Sequence, residues 1–186
     1  MELAVAGLRL RAPRAEDADE AWRMLQDPEV ARWNPVPSVV DLSSARDWCV
    51  RGADWSDGSH ATWHAVDGGT GRLAANCSVF AIDREHLSAK VGYRVAPWAR
   101  GHGVATVVVA SVGGWAFAEL GLVRLEIQHA VANAASCRVA AKTGYVLEGT
   151  LRSASLDGHG VRQDDHLHGR VATDPTPPLT AREGRC

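Results

Sequence analysis

Residues 91–120, VGYRVAPWARGHGVATVVVASVGGWAFAEL, constrain the fold more than any other stretch. Val91, Tyr93 and Val95 alternate with Gly92 and Arg94, a period-2 pattern that predicts a strand. Pro97 cannot donate to a sheet ladder, so the strand is expected to end near Ala96. Arg100-Gly101-His102-Gly103 follows, and its two glycines let the backbone approach a ligand closely. Val104, Val107, Val108, Val112 and Trp115 then recur at helical spacing. The glycines therefore stand just before a helix N-terminus, where free N–H groups and the helix dipole favour an anion. The stretch reads as a turn shaped for a phosphate, or as a tight turn whose glycines serve geometry alone. Two nucleotide-binding motifs do not fit. No G-x-x-x-x-G-K-[ST] run exists. A G-x-G-x-x-G/A pattern fails at Thr106 and would stand too far from the strand.

The flanking sequence extends the pattern. Residues 8–11 alternate as a short strand, and residues 14–26 carry Ala18, Ala21, Trp22 and Leu25 at helical spacing. Asp27-Pro28-Glu29-Val30 breaks or restarts the helix, and residues 33–37 hold two prolines and read as irregular. Ser43 and Ser44 are candidate caps for a helix reaching about Ala53. Strands over 61–66 and 73–82, then the central strand from Ala89, are joined by short connections and predict an antiparallel meander. The helix from Val104 crosses to a strand at 124–129, so that strand and the central one run parallel. Asn133 caps a second helix to about Thr143, and strands over 145–152 and 161–170 close the series. Residues 1–172 read as one domain, and the Pro-rich segment 173–186 as a disordered tail.

Composition removes several function classes. The net charge of −2 gives no global basic field, so no nucleic-acid partner is expected. No apolar run reaches the ~18 residues of a membrane span. The first residues lack the basic start and long apolar core of a secretory signal, which leaves the cytoplasm as the expected location. Cys49, Cys77, Cys137 and Cys186 are scattered without metal-finger spacing, so reduced thiols and no metal are expected. His166 and His168 beside Asp164 and Asp165 read as solvent-facing strand residues, with a metal site as the alternative.

Arg100-Gly101-His102-Gly103-Val104-Ala105 resembles the Q/R-x-x-G-x-G/A acyl-coenzyme A signature of the GNAT N-acetyltransferases. Asn133-Ala134-Ala135-Ser136 matches the N-x-x-S of the RimJ/RimL-like subgroup, which acetylates ribosomal-protein N-termini. Lys142-Thr143-Gly144-Tyr145-Val146-Leu147-Glu148-Gly149 is similar to that subgroup's K-x-G-[FY]-x-x-E-G. The resemblance spans roughly residues 8 to 170, and motifs in series are more specific than any one of them. It implies an α+β, GNAT-like fold. The mixed, mostly antiparallel sheet would have about seven strands and helices on both faces. A parallel pair, about 91–95 and 124–129, would splay around the cofactor.

The resemblance also implies acetyl-CoA (coenzyme A) as cofactor, held by Val95, Arg100, Gly101, His102, Gly103, Val104, Ala105, Asn133 and Ser136. Arg32, Trp33 and Asn34 would touch the acceptor. The implied reaction is acetyl transfer to a primary amine, a protein or peptide N-terminal α-amine among the candidates, by direct attack in a ternary complex. Ser136 falls where the subgroup has a serine near the cofactor sulphur. Many relatives carry a tyrosine seven residues after the asparagine, and here that position is Ala140. Glu126 is the leading candidate base, with His129, Asp83, Asp164, Asp165 or an ordered water as alternatives. Arg138 and Lys142 read as surface charges that can also meet phosphates. A homodimer is expected by family habit. The missing tyrosine keeps one alternative open, a non-catalytic acyl-CoA-binding or regulatory module.

Overall fold

The computed structural model describes residues 1–177. These form an eight-stranded sheet in the order β1-β2-β3-β4-β5-β6-β8-β7. Along the chain come β1 (Glu2–Val5), β2 (Leu8–Arg11), α1 (Ala18–Leu25), α2 (Pro28–Trp33), α3 (Leu42–Ala53), β3 (His60–Asp67), β4 (Leu73–Asp83) and β5 (Ser88–Val95). Then follow α4 (Val104–Leu120), β6 (Arg124–Ala130), α5 (Ala134–Lys142), β7 (Val146–Leu156) and β8 (Arg162–Val171). The sheet has one strand more than the sequence predicts. The addition is β1, whose four residues pair with β2 but are too few to show a periodic pattern.

Helix caps explain several boundaries. Asp27 accepts a hydrogen bond from Val30 N and Pro28 takes the first helical position, so the chain restarts a helix there instead of breaking. Trp33 consequently closes α2 and does not join the irregular segment. α3 is capped by Asp41, which exchanges hydrogen bonds with Ser44 in a capping box. Asn133 caps α5 by accepting from Ser136 N at 3.1 Å.

β3 is buried along nearly its whole length because helices cover both faces. Trp63 points toward α4, with its ring 5.0 Å from Trp55 and 5.1 Å from Trp115, centroid to centroid. His64 points the other way, toward α1 and α3, and lies 2.8 Å from Asp17. Arg11 forks onto the same carboxylate at 2.8 and 2.7 Å. Burial alone would raise the Asp17 pKa, but the hydrogen bonds from Arg11 and His64 hold it well below the usual carboxylate range. That triad ties β2, the turn before α1 and β3 together. On the opposite face, Val108, Val109, Val112 and Ala116 of α4 are wholly buried over β4 and β5.

Every neighbouring pair of strands is antiparallel except β5–β6. That parallel pairing runs only from Ser88↔Arg124 to Lys90↔Glu126. This is the splayed parallel pair expected at about 91–95 and 124–129: residues 88–90 and 124–126 pair, and residues 91–95 and 127–130 beyond them part as the limbs of a wedge. Beyond β8, Ala172 N donates to Val123 O and Asp174 closes a turn on Val171. Residues 178–186 of the expected tail lie outside the described residues. No helix among those described is long and apolar enough to cross a membrane.

Candidate active site

The wedge between β5 and β6 opens a cleft of about 880 Å³. One wall is the turn entering α4. Gly101 and Gly103 have φ of +81° and +74°, a left-handed conformation that L side chains rarely adopt. A Cβ at either position would meet no atom within 4 Å, so the turn's surface is open to a ligand. Gly103 is the residue before α4, so the first free N–H groups of a 17-residue helix lie at this wall. Val104 and Ala105 also line the cleft. Arg100 lines it too, but its guanidinium is engaged by Asp27, the cap of α2. That pair fastens the glycine turn to the start of α2.

The opposite wall comes from the end of β6 and the start of α5. Ile127, His129, Asn133 and Ser136 contribute to it. The floor is β5, whose Val91–Val95 limb has no partner strand on the β6 side. Asn34 is placed over this limb and donates from Nδ2 to Tyr93 O at 3.0 Å. Trp33 lies beside it, with Nε1 donating to Glu29 at 2.9 Å.

Three of the expected residues stand elsewhere. His102 is exposed and does not line the cleft. Arg32 turns toward Asp157 in the β7–β8 turn, 3.6 Å away, and stacks over Trp33. Glu126 accepts from Arg124 Nε at 2.9 Å and is absent from the cleft lining. Position along the strand is the reason: Glu126 sits at the closed end of the wedge, in register with Lys90 and held by Arg124, whereas Gln128 and His129 lie past the point where the strands part and both line the cleft. Asp83, Asp164 and Asp165 are bound to His86, to Ser153 N, and to Gln128 and Ser155 respectively. Arg138 and Lys142 also lie outside the lining.

His129 is the histidine that β6 brings to the cleft wall. Its Nδ1 lies 2.9 Å from Ala130 O, and its buried Nε2 has no hydrogen-bond partner. A neutral ring donating from Nδ1 leaves the Nε2 lone pair available. Burial lowers its pKa below the ordinary value, and the neighbouring His168 and His166 lower it further. The three rings stack or meet edge-on at centroid distances of 5.1–5.9 Å. Cys137 packs against them from α5, with Sγ 3.9 Å from His166 Nδ1 and 3.8 Å from His168 Nε2. His166 and His168, expected to face solvent, are half-buried and buried here, and the fold brings His129 and Cys137 to them. Cys49 and Cys77 are buried free thiols.

Tyr93 was legible only as a strand residue. Its hydroxyl is buried in the cleft without a hydrogen bond of ordinary geometry. Burial pushes its pKa up to about 12, against a weaker opposing pull from the Ser136 hydroxyl. The phenol therefore stays protonated beside Ser136.

The buried histidines make stability depend on pH. Burial lowers the pKa of both His129 and His168 below the ordinary 6.5. The unfolded chain then binds more protons than the folded one as pH falls through 6.5. Their contribution is complete above that value and is lost as pH falls toward the folded pKa values. Melting curves are expected to shift downward between about pH 7.5 and pH 5, and replacing His168 with asparagine is expected to flatten that decline.

A mixed sheet split at its parallel pair, with a glycine turn and helix N-terminus at the split, defines an acyltransferase architecture. The chain belongs to the acetyltransferase (GNAT) domain family, whose model matches residues 7–146. It is 29% identical over 146 residues to the uncharacterized N-acetyltransferase p20 of Bacillus licheniformis, covering 78% of this chain and 82% of the relative. Among solved structures it is similar to the ribosomal-protein-S5-alanine acetyltransferase of Vibrio fischeri, with a TM-score of 0.83 and 18% identity, covering 95% of this chain and 100% of that one. It is also similar to RimJ of Mycobacterium smegmatis, solved with a coenzyme A disulfide. There the TM-score is 0.80 at 22% identity, over 92% of this chain and 86% of that one. The protein is thus an acetyltransferase of the GNAT family with RimJ/RimL-like structural neighbours.

Proposed function

We propose that the protein transfers an acetyl group from acetyl-CoA to a primary amine, by direct attack within a ternary complex. The observation that carries this reading is the wedge. Its parallel strands part after Lys90↔Glu126, and an anion-binding helix start stands on one side of the gap with His129 and Ser136 on the other. The residues fit an acyl-CoA. The open surface over Gly101 and Gly103 and the N–H groups of α4 suit a pyrophosphate. The partnerless edge of β5, including Val95, suits an extended chain of amides, which pairs as an added strand would. Asn133 can reach such an amide from the mouth of α5. When bound, acetyl-CoA supplies a thioester whose acetyl group passes to the amine as free thiol forms.

The chain's own groups divide the work. Backbone N–H groups on the open limb of β5 donate to the developing oxyanion. His129, a neutral ring that lines the cleft and whose buried Nε2 has no hydrogen-bond partner, accepts the proton that the attacking amine releases. The protonated Tyr93 phenol and the Ser136 hydroxyl together take the place of the tyrosine that Ala140 replaces, and donate toward the departing sulphur. The RimJ/RimL-like neighbours favour an N-terminal α-amine of a peptide or protein as acceptor.

The deciding experiment is amine-dependent thiol release. Acetyl-CoA and a panel of N-terminal peptides and small amines are incubated with the protein, and free thiol is measured. Release that depends on an amine is expected. Binding of acetyl-CoA with no release for any amine would mark a binding module instead. Within an active pair, Ser136→Ala is expected to lower kcat about tenfold to a hundredfold with little change in acetyl-CoA affinity. The cap at Asn133 uses the Ser136 N–H and not its hydroxyl, so the melting temperature is expected to hold. Full turnover in the alanine variant would remove Ser136 from the mechanism.

A further inference from the structure

The acceptor side of the cleft holds two cations and little to balance them. Lys90 and Arg94 project from the same face of β5, on either side of Gly92. Arg94 is half-buried and makes three hydrogen bonds, all to neutral oxygens. Its Nε donates to Asn34 O at 3.0 Å, Nη2 to Asn34 Oδ1 at 2.8 Å and Nη1 to Asn76 Oδ1 at 3.1 Å. Neither Arg94 nor Lys90 has a carboxylate within 4.0 Å among the described residues. The nearby acid of the lining, Glu29, accepts from Trp33.

We infer that Arg94, assisted by Lys90, is the seat for a carboxylate carried by the amine acceptor. The inference rests on the acetyl-transfer reading and names the acceptor's chemistry. Burying a guanidinium without a counter-charge is costly, so a partner is expected to arrive with the substrate. A guanidinium has five N–H donors, and each Nη keeps a second one beyond the bonds described. Guanidinium donors of this kind match the two oxygens of a carboxylate. Asn34 and Asn76 hold the fork in place through amide oxygens, which orient it without neutralising it. Burial lowers the Arg94 pKa to about 10, so it stays charged at neutral pH.

The seat also opens into a second chamber. A cavity of about 260 Å³ continues from Arg94 along Thr62 and Ser78 to His60, Trp48 and Arg51. Both cavities share Arg94, His60, Thr62 and Ser78. An acceptor anchored by its carboxylate at Arg94 can therefore present its amine to the wedge and extend its remainder into the chamber. The cations serve the chemistry as well. They disfavour a protonated amine close by, and so favour the free base that attacks.

The test uses pairs of probes that differ only in the anion. Alanine and β-alanine are each compared with their carboxamides, and a Ser-Glu-Ala peptide with Ser-Gln-Ala. The first two pairs place the carboxylate on a small amino acid, the third on a peptide side chain. Affinity for the coenzyme A-saturated protein is measured by calorimetry in the wild type, Arg94→Gln and Lys90→Gln. In at least one pair the carboxylate member is expected to bind about tenfold tighter or better. Arg94→Gln is expected to erase that preference, and Lys90→Gln, whose side chain makes no bond to the fold, to reduce it. Melting curves confirm that the variants are folded. Equal affinity within every pair, or a preference that survives in both variants, would overturn the inference. Thiol release on the same samples keeps the two ideas apart. Release without discrimination leaves the transferase and removes the seat, whereas discrimination without release does the reverse.

Discussion

Gly103→Val is expected to lower affinity for acetyl-CoA by about a hundredfold while leaving the chain folded. Gly103 has φ of +74°, where a β-branched residue is strained by about 1–2 kcal/mol. That strain is a modest cost in stability, because a Cβ there meets nothing within 4 Å and no packed atom has to move. The same open space is where the ligand has to come. Methyl groups over the turn would hold a phosphate away from the first N–H groups of α4. Hydrogen bonds to charged groups contribute about 1.5–3 kcal/mol each, so losing one or two accounts for the expected drop. Gly103→Ala carries the strain with less bulk and is expected to fall between. Calorimetry with acetyl-CoA, run beside melting curves, reads both effects. Unchanged affinity in the valine variant would show that the turn does not hold the cofactor.

His129→Gln is expected to lower kcat about a hundredfold to ten-thousandfold, the range of a lost general base. The group is set up for that role by where β6 ends. It lies past the point where β5 and β6 part, burial favours the neutral ring, and the Ala130 carbonyl occupies Nδ1 so that Nε2 is left without a partner. The wild-type profile of kcat/KM is expected to rise with pH and to level off once His129 is neutral. Because its pKa is lowered, that limb lies on the acid side of 6.5. The glutamine variant is expected to lose the limb as well as the rate. A variant that is slow but retains the acid limb would assign the titration to another group.

Much of the scaffold was legible from local chemistry. The glycine turn, the cap at Asn133 and the crossover through α4 each follow from residues adjacent in the chain. What was not legible depends on register. Whether Glu126 or His129 lines the cleft is decided by where β5 and β6 stop pairing, and a single strand carries no record of that. The same holds for Tyr93 and Arg94, neighbours in sequence that serve opposite faces of β5. The histidine cluster joins residues from two strands whose pairing is antiparallel and long-range, His129 with His166 and Ile127 with His168. Arg32, which motif reasoning placed on the acceptor, is drawn off by Asp157 in a turn 125 residues further along the chain.

Acetyl transfer through the wedge, from acetyl-CoA to an amine, leaves a product that can be followed by mass. Its most direct test is mass spectrometry of the acceptor after incubation with isotopically labelled acetyl-CoA and the protein. Label is expected on the acceptor amine in amounts equal to the thiol released, with both strongly reduced in Gly103→Val. Thiol released without labelled acceptor, or label transferred equally well by the valine variant, would contradict it.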